Sequence, residues 1–144
     1  MPAVGAGSLR SVFSLQLDAA AYAQMIAHAY DSIPLEACGL LIGQGNRCTR
    51  FVPTRNVADS AILYIVDPKQ HLHAEIVAED EGLAVIGVMH SHTHTDPYPS
   101  ATDIAAAPDP SWHYVIVSLR DDAPMLRSWH IDGNEFSEER VTVA

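Results

Sequence analysis

Residues 83–103 read LAVIGVMHSHTHTDPYPSATD, and this stretch decides how the rest of the chain is understood. Its first seven residues are continuously apolar and few, the pattern of a central strand covered on both faces, and the run ends directly on His90. The fourteen residues from His90 onward then concentrate three histidines and two aspartates immediately past that strand. Such a composition fills a core badly and suits chemistry well.

Working outward, the flanking sequence alternates strands with helices. Upstream, residues 11–17 (SVFSLQL) alternate, Asp18 stands where an N-cap belongs, and Tyr22, Met25, Ile26, Ala29 and Tyr30 follow at helical spacing. Pro34 ends that helix, residues 37–43 (ACGLLIG) read as a buried strand, and Glu36 sits at its mouth. Residues 50–53 and 61–66 are strand-like. Asp67-Pro68 is an N-cap with proline at the first helical position, opening a helix through about Asp80. Downstream, a short helix is expected over 100–107 and closing strands over 113–119, 125–131 and 136–143, the late neighbours antiparallel. The fold class expected is α/β, a sheet with helices packed on it. Residues 1–10 read as a flexible lead and 11–144 as one domain.

Bulk properties narrow the partners. A chain of 144 residues with 48% hydrophobic and 18% charged residues suits one ordinary core. The net charge of -10, from 18 acidic and 8 basic residues, opposes binding to nucleic acid, whose phosphates need clustered Lys and Arg. No apolar run approaches the roughly 20 residues of a membrane span, and the first ten residues lack a secretory pattern, so a cytoplasmic location without membrane attachment is expected. Cys38 and Cys48 read as two reduced thiols.

In an extended chain side chains alternate, so His90 and His92 point to one side, where two imidazoles suit zinc. Asp103, presented by the helix after the loop, can supply the third ligand and leave the fourth tetrahedral position open, as in catalytic sites. Alone, a His-x-His is weak. His71 and His73 form another, but their helix separates the rings by about 200° and a solvated role suits them better. Ser100 with Asp103 three positions on also resembles a capping box. His94 continues the alternation, but five residues of extended chain spread three rings too widely for one ion, which leaves it outside the ligand set or facing solvent.

Taken whole, His-x-His, seven residues, Ser, two residues and Asp resembles the JAMM/MPN+ metalloproteases, with His90, His92, Ser100 and Asp103 matching each position. Glu36 in PLEACGLLIG resembles the family's upstream glutamate. The resemblance runs from Leu17 to the last strands. It implies a curved mixed sheet flanked by helices, similar to cytidine deaminases, one Zn2+ per chain, Glu36 as general base and Ser100 as oxyanion donor. HSHTHTDPYPSATD and HYVIVSLRDD look similar to the compact actinobacterial members that trim the C-terminus of a small ubiquitin-like sulfur-carrier protein in cysteine biosynthesis. The carrier's Gly-Gly tail would then lie as an added strand beside residues 61–66. An isopeptidase acting on a modified lysine is the alternative. A deaminase would need His-x-Glu and Pro-Cys-x-x-Cys elements, which are absent, and a non-catalytic scaffold typically lacks the ligands present here.

Overall fold

The computed structural model describes residues 14–144; the expected lead at 1–10 and the start of the first strand lie outside the described residues. Strands and helices run in the order β1 (Ser14–Leu17), α1 (Ala19–Ser32), β2 (Cys38–Gln44), β3 (Arg47–Thr54), α2 (Pro68–Asp80), β4 (Ala84–His92), α3 (Ala101–Ala106), β5 (His113–Ser118), β6 (Met125–Asp132) and β7 (Glu135–Val143). The sheet order is β1-β3-β2-β4-β5-β6-β7, and β7 pairs back onto β1, so the expected curvature goes as far as closure. Pairing is mixed: β4–β5, β1–β3 and β1–β7 are parallel, the others antiparallel, including both late pairs.

Closure sorts the apolar side chains into two layers. One gathers residues from all seven strands, among them Leu15, Leu41, Phe51, Met89, Val117, Leu126 and Val141, around Ala21, Met25 and Ala29 of α1. Helix α1 therefore fills the inside of the ring, and its alanines let the backbone approach. The other layer, Leu40, Ile42, Val88, Ile116, Trp129 and Ile131, is covered by Ala74 and Ala78 of α2 and by Ile104 of α3. Fully burying one such aliphatic side chain stabilises by about 1.5–3 kcal/mol. Tyr30, expected on the buried face of α1, is 43% exposed. Where β4 meets β5, a side chain at Gly87 would stand 2.2 Å from the His113 carbonyl oxygen, so only glycine permits this register. One polar cluster interrupts the inner layer: the Glu139 carboxylate accepts from His113 Nδ1 at 2.7 Å and from the Ser128 hydroxyl at 2.6 Å.

Helix starts differ in how they are held. Asp67 accepts from the Lys69 and Gln70 amides, with Pro68 at the first turn, as the sequence predicts. Asp18 occupies the N-cap of α1 but makes no side-chain capping bond, because its carboxylate is engaged by Arg47 at 2.7 Å.

Two expectations are corrected. Residues 61–66 do not form a strand; apart from one isolated bridge between Asn56 and Val66, with the Val57 N–H donating to the Ile65 carbonyl at 2.9 Å, the segment is a loop gathered by the side chain of Asn56. Strand β4 does not stop before His90 but continues through His92, because β5 keeps pairing with it as far as Ser118.

Candidate metal centre

The extension of β4 places His90 and His92 within a regular ladder. Alternation turns both rings to the outer face and Ser91 inward, where its buried hydroxyl accepts the Ala37 N–H at 2.7 Å. That bond ties the segment carrying Glu36 to the strand carrying the histidines. Opposite them, α3 begins at Ser100, whose hydroxyl accepts the Asp103 N–H at 3.0 Å while Asp103 Oδ2 accepts the Ser100 N–H at 2.9 Å, a complete capping box. The cap aims Asp103 at the rings, so capping and convergence are one arrangement here.

His90 Nε2, His92 Nε2 and Asp103 Oδ2 stand 3.1, 3.1 and 3.2 Å from one another, and all three side chains are buried. Tetrahedral ligands about 2.0–2.1 Å from zinc lie roughly 3.3–3.4 Å apart, so the triad fits one zinc ion with little adjustment. It is the only such group of three donors among the described residues. His92 Nδ1 donates to the Asp96 carbonyl at 2.7 Å, which leaves the lone pair on Nε2, the atom facing the triad. The His90 ring stacks on Tyr64 with centroids 4.3 Å apart, and its Nδ1 is buried without a partner.

Electrostatics agree with a cation's place. Burial pushes the His90 cation down in spite of Asp103. For His92 burial works the same way, but the bonds to Asp103 and to the Asp96 carbonyl outweigh it and raise its pKa. Burial would lift the Asp103 acid, yet the two histidines hold it well below the usual carboxylate range. Glu36, 5% exposed, is pushed up to about 7, chiefly by burial, with His92 pulling down and Asp103 pushing up. Its Oε1 is buried and has no partner. A carboxylate left unsatisfied beside three convergent donors is poised to take a proton.

Glu36, His92 and Ser100 line one cleft of about 220 Å3, with Ile62 on its wall and His94 at its rim. His94 is exposed and outside the convergent group, though it lines the same cleft. His71 lies half-buried with its ring 5.6 Å from that of Trp112, and His73 is exposed. The sequence reading missed Tyr64, Asn56 and Ser91. No spacing marks them, since each acts on a neighbour distant in the chain.

The family model described as prokaryotic homologues of the JAB domain matches residues 18–132. A CysO-cysteine peptidase of Mycobacterium tuberculosis is 38% identical over 136 residues, covering 92% of this chain and 93% of that protein. A desampylase of Pyrococcus furiosus is 30% identical over 123 residues, 85% of this chain and 86% of that one. The solution structure of a Desulfitobacterium hafniense protein superposes with a TM-score of 0.83 at 33% identity, over 90% of this chain and 92% of the other. With its donor triad, its mixed sheet and these relatives, the chain belongs to the JAMM family of peptidases, among the prokaryotic homologues of the JAB domain, and is a hydrolase.

Proposed function

We propose that the chain is a zinc-dependent peptidase that cuts at the C-terminal tail of a small ubiquitin-like sulfur-carrier protein, after its Gly-Gly end, releasing cysteine or a short tail. The observation that carries this reading is the unsatisfied, buried Glu36 carboxylate, which lines one cleft with His92, itself a member of the convergent His90, His92 and Asp103 group. The relative named CysO-cysteine peptidase supports the choice of substrate.

The three donors would hold zinc, which when bound supplies Lewis acidity and brings the pKa of a water from about 16 to roughly 7. Glu36 takes the proton of the attacking water and returns it to the leaving amine as the C–N bond breaks, so one water is consumed and a carboxylate and an amine result. Ser100 uses its oxygen to cap α3, which leaves its O–H to donate to the carbonyl oxygen as charge develops there. The Asp96 carbonyl fixes the His92 ring, and the capping box fixes Asp103. The cleft admits an extended, small-residue tail, and Ile62, 80% exposed on its wall, offers that tail an apolar contact.

The desampylase among the relatives favours a second reading, an isopeptidase that removes a ubiquitin-like modifier from lysine by the same chemistry. One experiment decides between them. Zinc-loaded protein is incubated with a carrier extended beyond Gly-Gly and, separately, with a lysine-linked conjugate, and the products are weighed by mass spectrometry. Loss of only the residues after the second glycine is expected. Cleavage of the conjugate alone selects the isopeptidase, and two unchanged masses reject both.

A further inference from the structure

Loop 57–65 contributes Ala61 and Ile62 to the wall of the cleft; a backbone bond from the Val57 N–H to the Ile65 carbonyl at 2.9 Å joins its ends, and one buried side chain gathers the rest. Asn56 is 8% exposed, and its amide oxygen accepts the Ala58 N–H at 3.1 Å and the Ile65 N–H at 3.0 Å. Its amide nitrogen donates to the carbonyls of Leu63 at 3.0 Å and Glu36 at 3.1 Å, with Ser60 farther off at 3.5 Å. Both ends of the loop thus close on one side chain. The same side chain is joined to the backbone of Glu36, whose own N–H donates to the Ser60 carbonyl at 2.9 Å. Between those closures the loop carries Ile62 into the cleft wall and Tyr64 onto the His90 ring.

We propose that Asn56 is a positioning residue of the hydrolytic site, clamping loop 57–65 to the backbone of Glu36 so that the base and the tail-binding wall are set as one unit. The proposal rests on the peptidase reading above. Asparagine fits because the position needs two donors and an acceptor with two lone pairs on one short planar group, which no other short side chain offers. Aspartate keeps the acceptor and loses both donors, turning a carboxylate oxygen toward the Leu63 and Glu36 carbonyls. Asn56 touches no reacting atom. It acts through the Glu36 main chain and through the loop.

The test compares zinc-loaded wild type, Asn56→Asp, Asn56→Ala and Ile131→Val, the last a modest loss of core packing at a buried residue that does not line the cleft. Amide hydrogen exchange over residues 57–65, zinc content, and kcat and KM on the extended carrier are measured. In both Asn56 variants the loop amides should exchange at least tenfold faster while about one zinc per chain is retained. KM should rise about tenfold, and kcat should fall about tenfold because Glu36 is less well held. Ile131→Val should lose melting temperature with kcat/KM within twofold of wild type. Loop exchange and kcat/KM both unchanged in Asn56→Ala would overturn the clamp, as would a kcat/KM loss in Ile131→Val as large as that of the Asn56 variants. If wild type cleaves nothing, the peptidase reading fails; loop exchange still judges the clamp, with unchanged protection rejecting it and faster exchange keeping it.

Discussion

Two histidine-carboxylate clusters sit on opposite faces of the same sheet, and their difference separates architecture from chemistry. Inside the ring, His113 and Ser128 both donate to Glu139, so the carboxylate is satisfied and nothing in the cluster asks for a further partner. Outside, His90, His92 and Asp103 turn three electron-rich atoms toward one point about 3 Å from one another, and Glu36 beside them keeps a buried oxygen unbonded. Burial and residue types are similar. Unmet bonding capacity is what marks the outer group as a site, because a native fold rarely leaves a buried polar atom without a partner.

The contrast breaks most completely if a donor is removed. Asp103→Ala or His92→Ala should lose both zinc and activity, as metal analysis and carrier cleavage would show; zinc retained at one per chain in Asp103→Ala would dissolve the distinction. Glu36→Gln should keep zinc and lower kcat by about a thousandfold, within the range of general-base removal. Glu36 titrates near 7 in the folded, metal-free chain against an ordinary value of 4.5, so folding loses stability as pH rises from about 4.5 through 7. Metal-free Glu36→Gln should therefore unfold later than its parent at pH 8, by about 1–3 kcal/mol, and show no gain at pH 4. An equal gain at both values would mean that the carboxylate is not strained by burial.

Ser100→Ala should cost on the order of a hundredfold in kcat with zinc in place, from loss of an oxyanion donor. Smallest in activity is the inner cluster. Glu139→Ala leaves two donors unsatisfied and should cost about 2–4 kcal/mol of stability by denaturant melt, while turnover per folded molecule stays within twofold of wild type. A selective loss of turnover there would show that the inner cluster also serves the reaction.

What the sequence made legible follows the range of each interaction. Alternation along β4 announces His90 and His92, and the Ser100–Asp103 spacing announces the cap, because both are local. The Asp67-Pro68 start of α2 was readable for the same reason. Residues 61–66 look like a strand because the run is continuously apolar, but backbone pairing reaches only its end, through the Asn56–Val66 bridge and the Val57 N–H bond to the Ile65 carbonyl. Asn56, which shapes that loop, works through main-chain carbonyls as far as twenty residues away, and such bonds leave no sequence pattern. Glu36 was found by resemblance to a family motif. Its want of a partner, which gives it a use, became visible only in three dimensions.

The parallel pairing of β1 with β7 sets Ser14 opposite Arg140, at nearly the full separation the described chain allows. During synthesis, β1 is made long before its partner exists. Until the residues of β7 have left the ribosome the ring stays open along one side, leaving Leu15, Met25 and Val117 within reach of water and of other nascent chains. Closure of the ring thus waits for residues 135–143, and chains arrested before residue 135 should leave the β7-facing edge of β1 unprotected in hydrogen exchange while its other edge can still pair with β3.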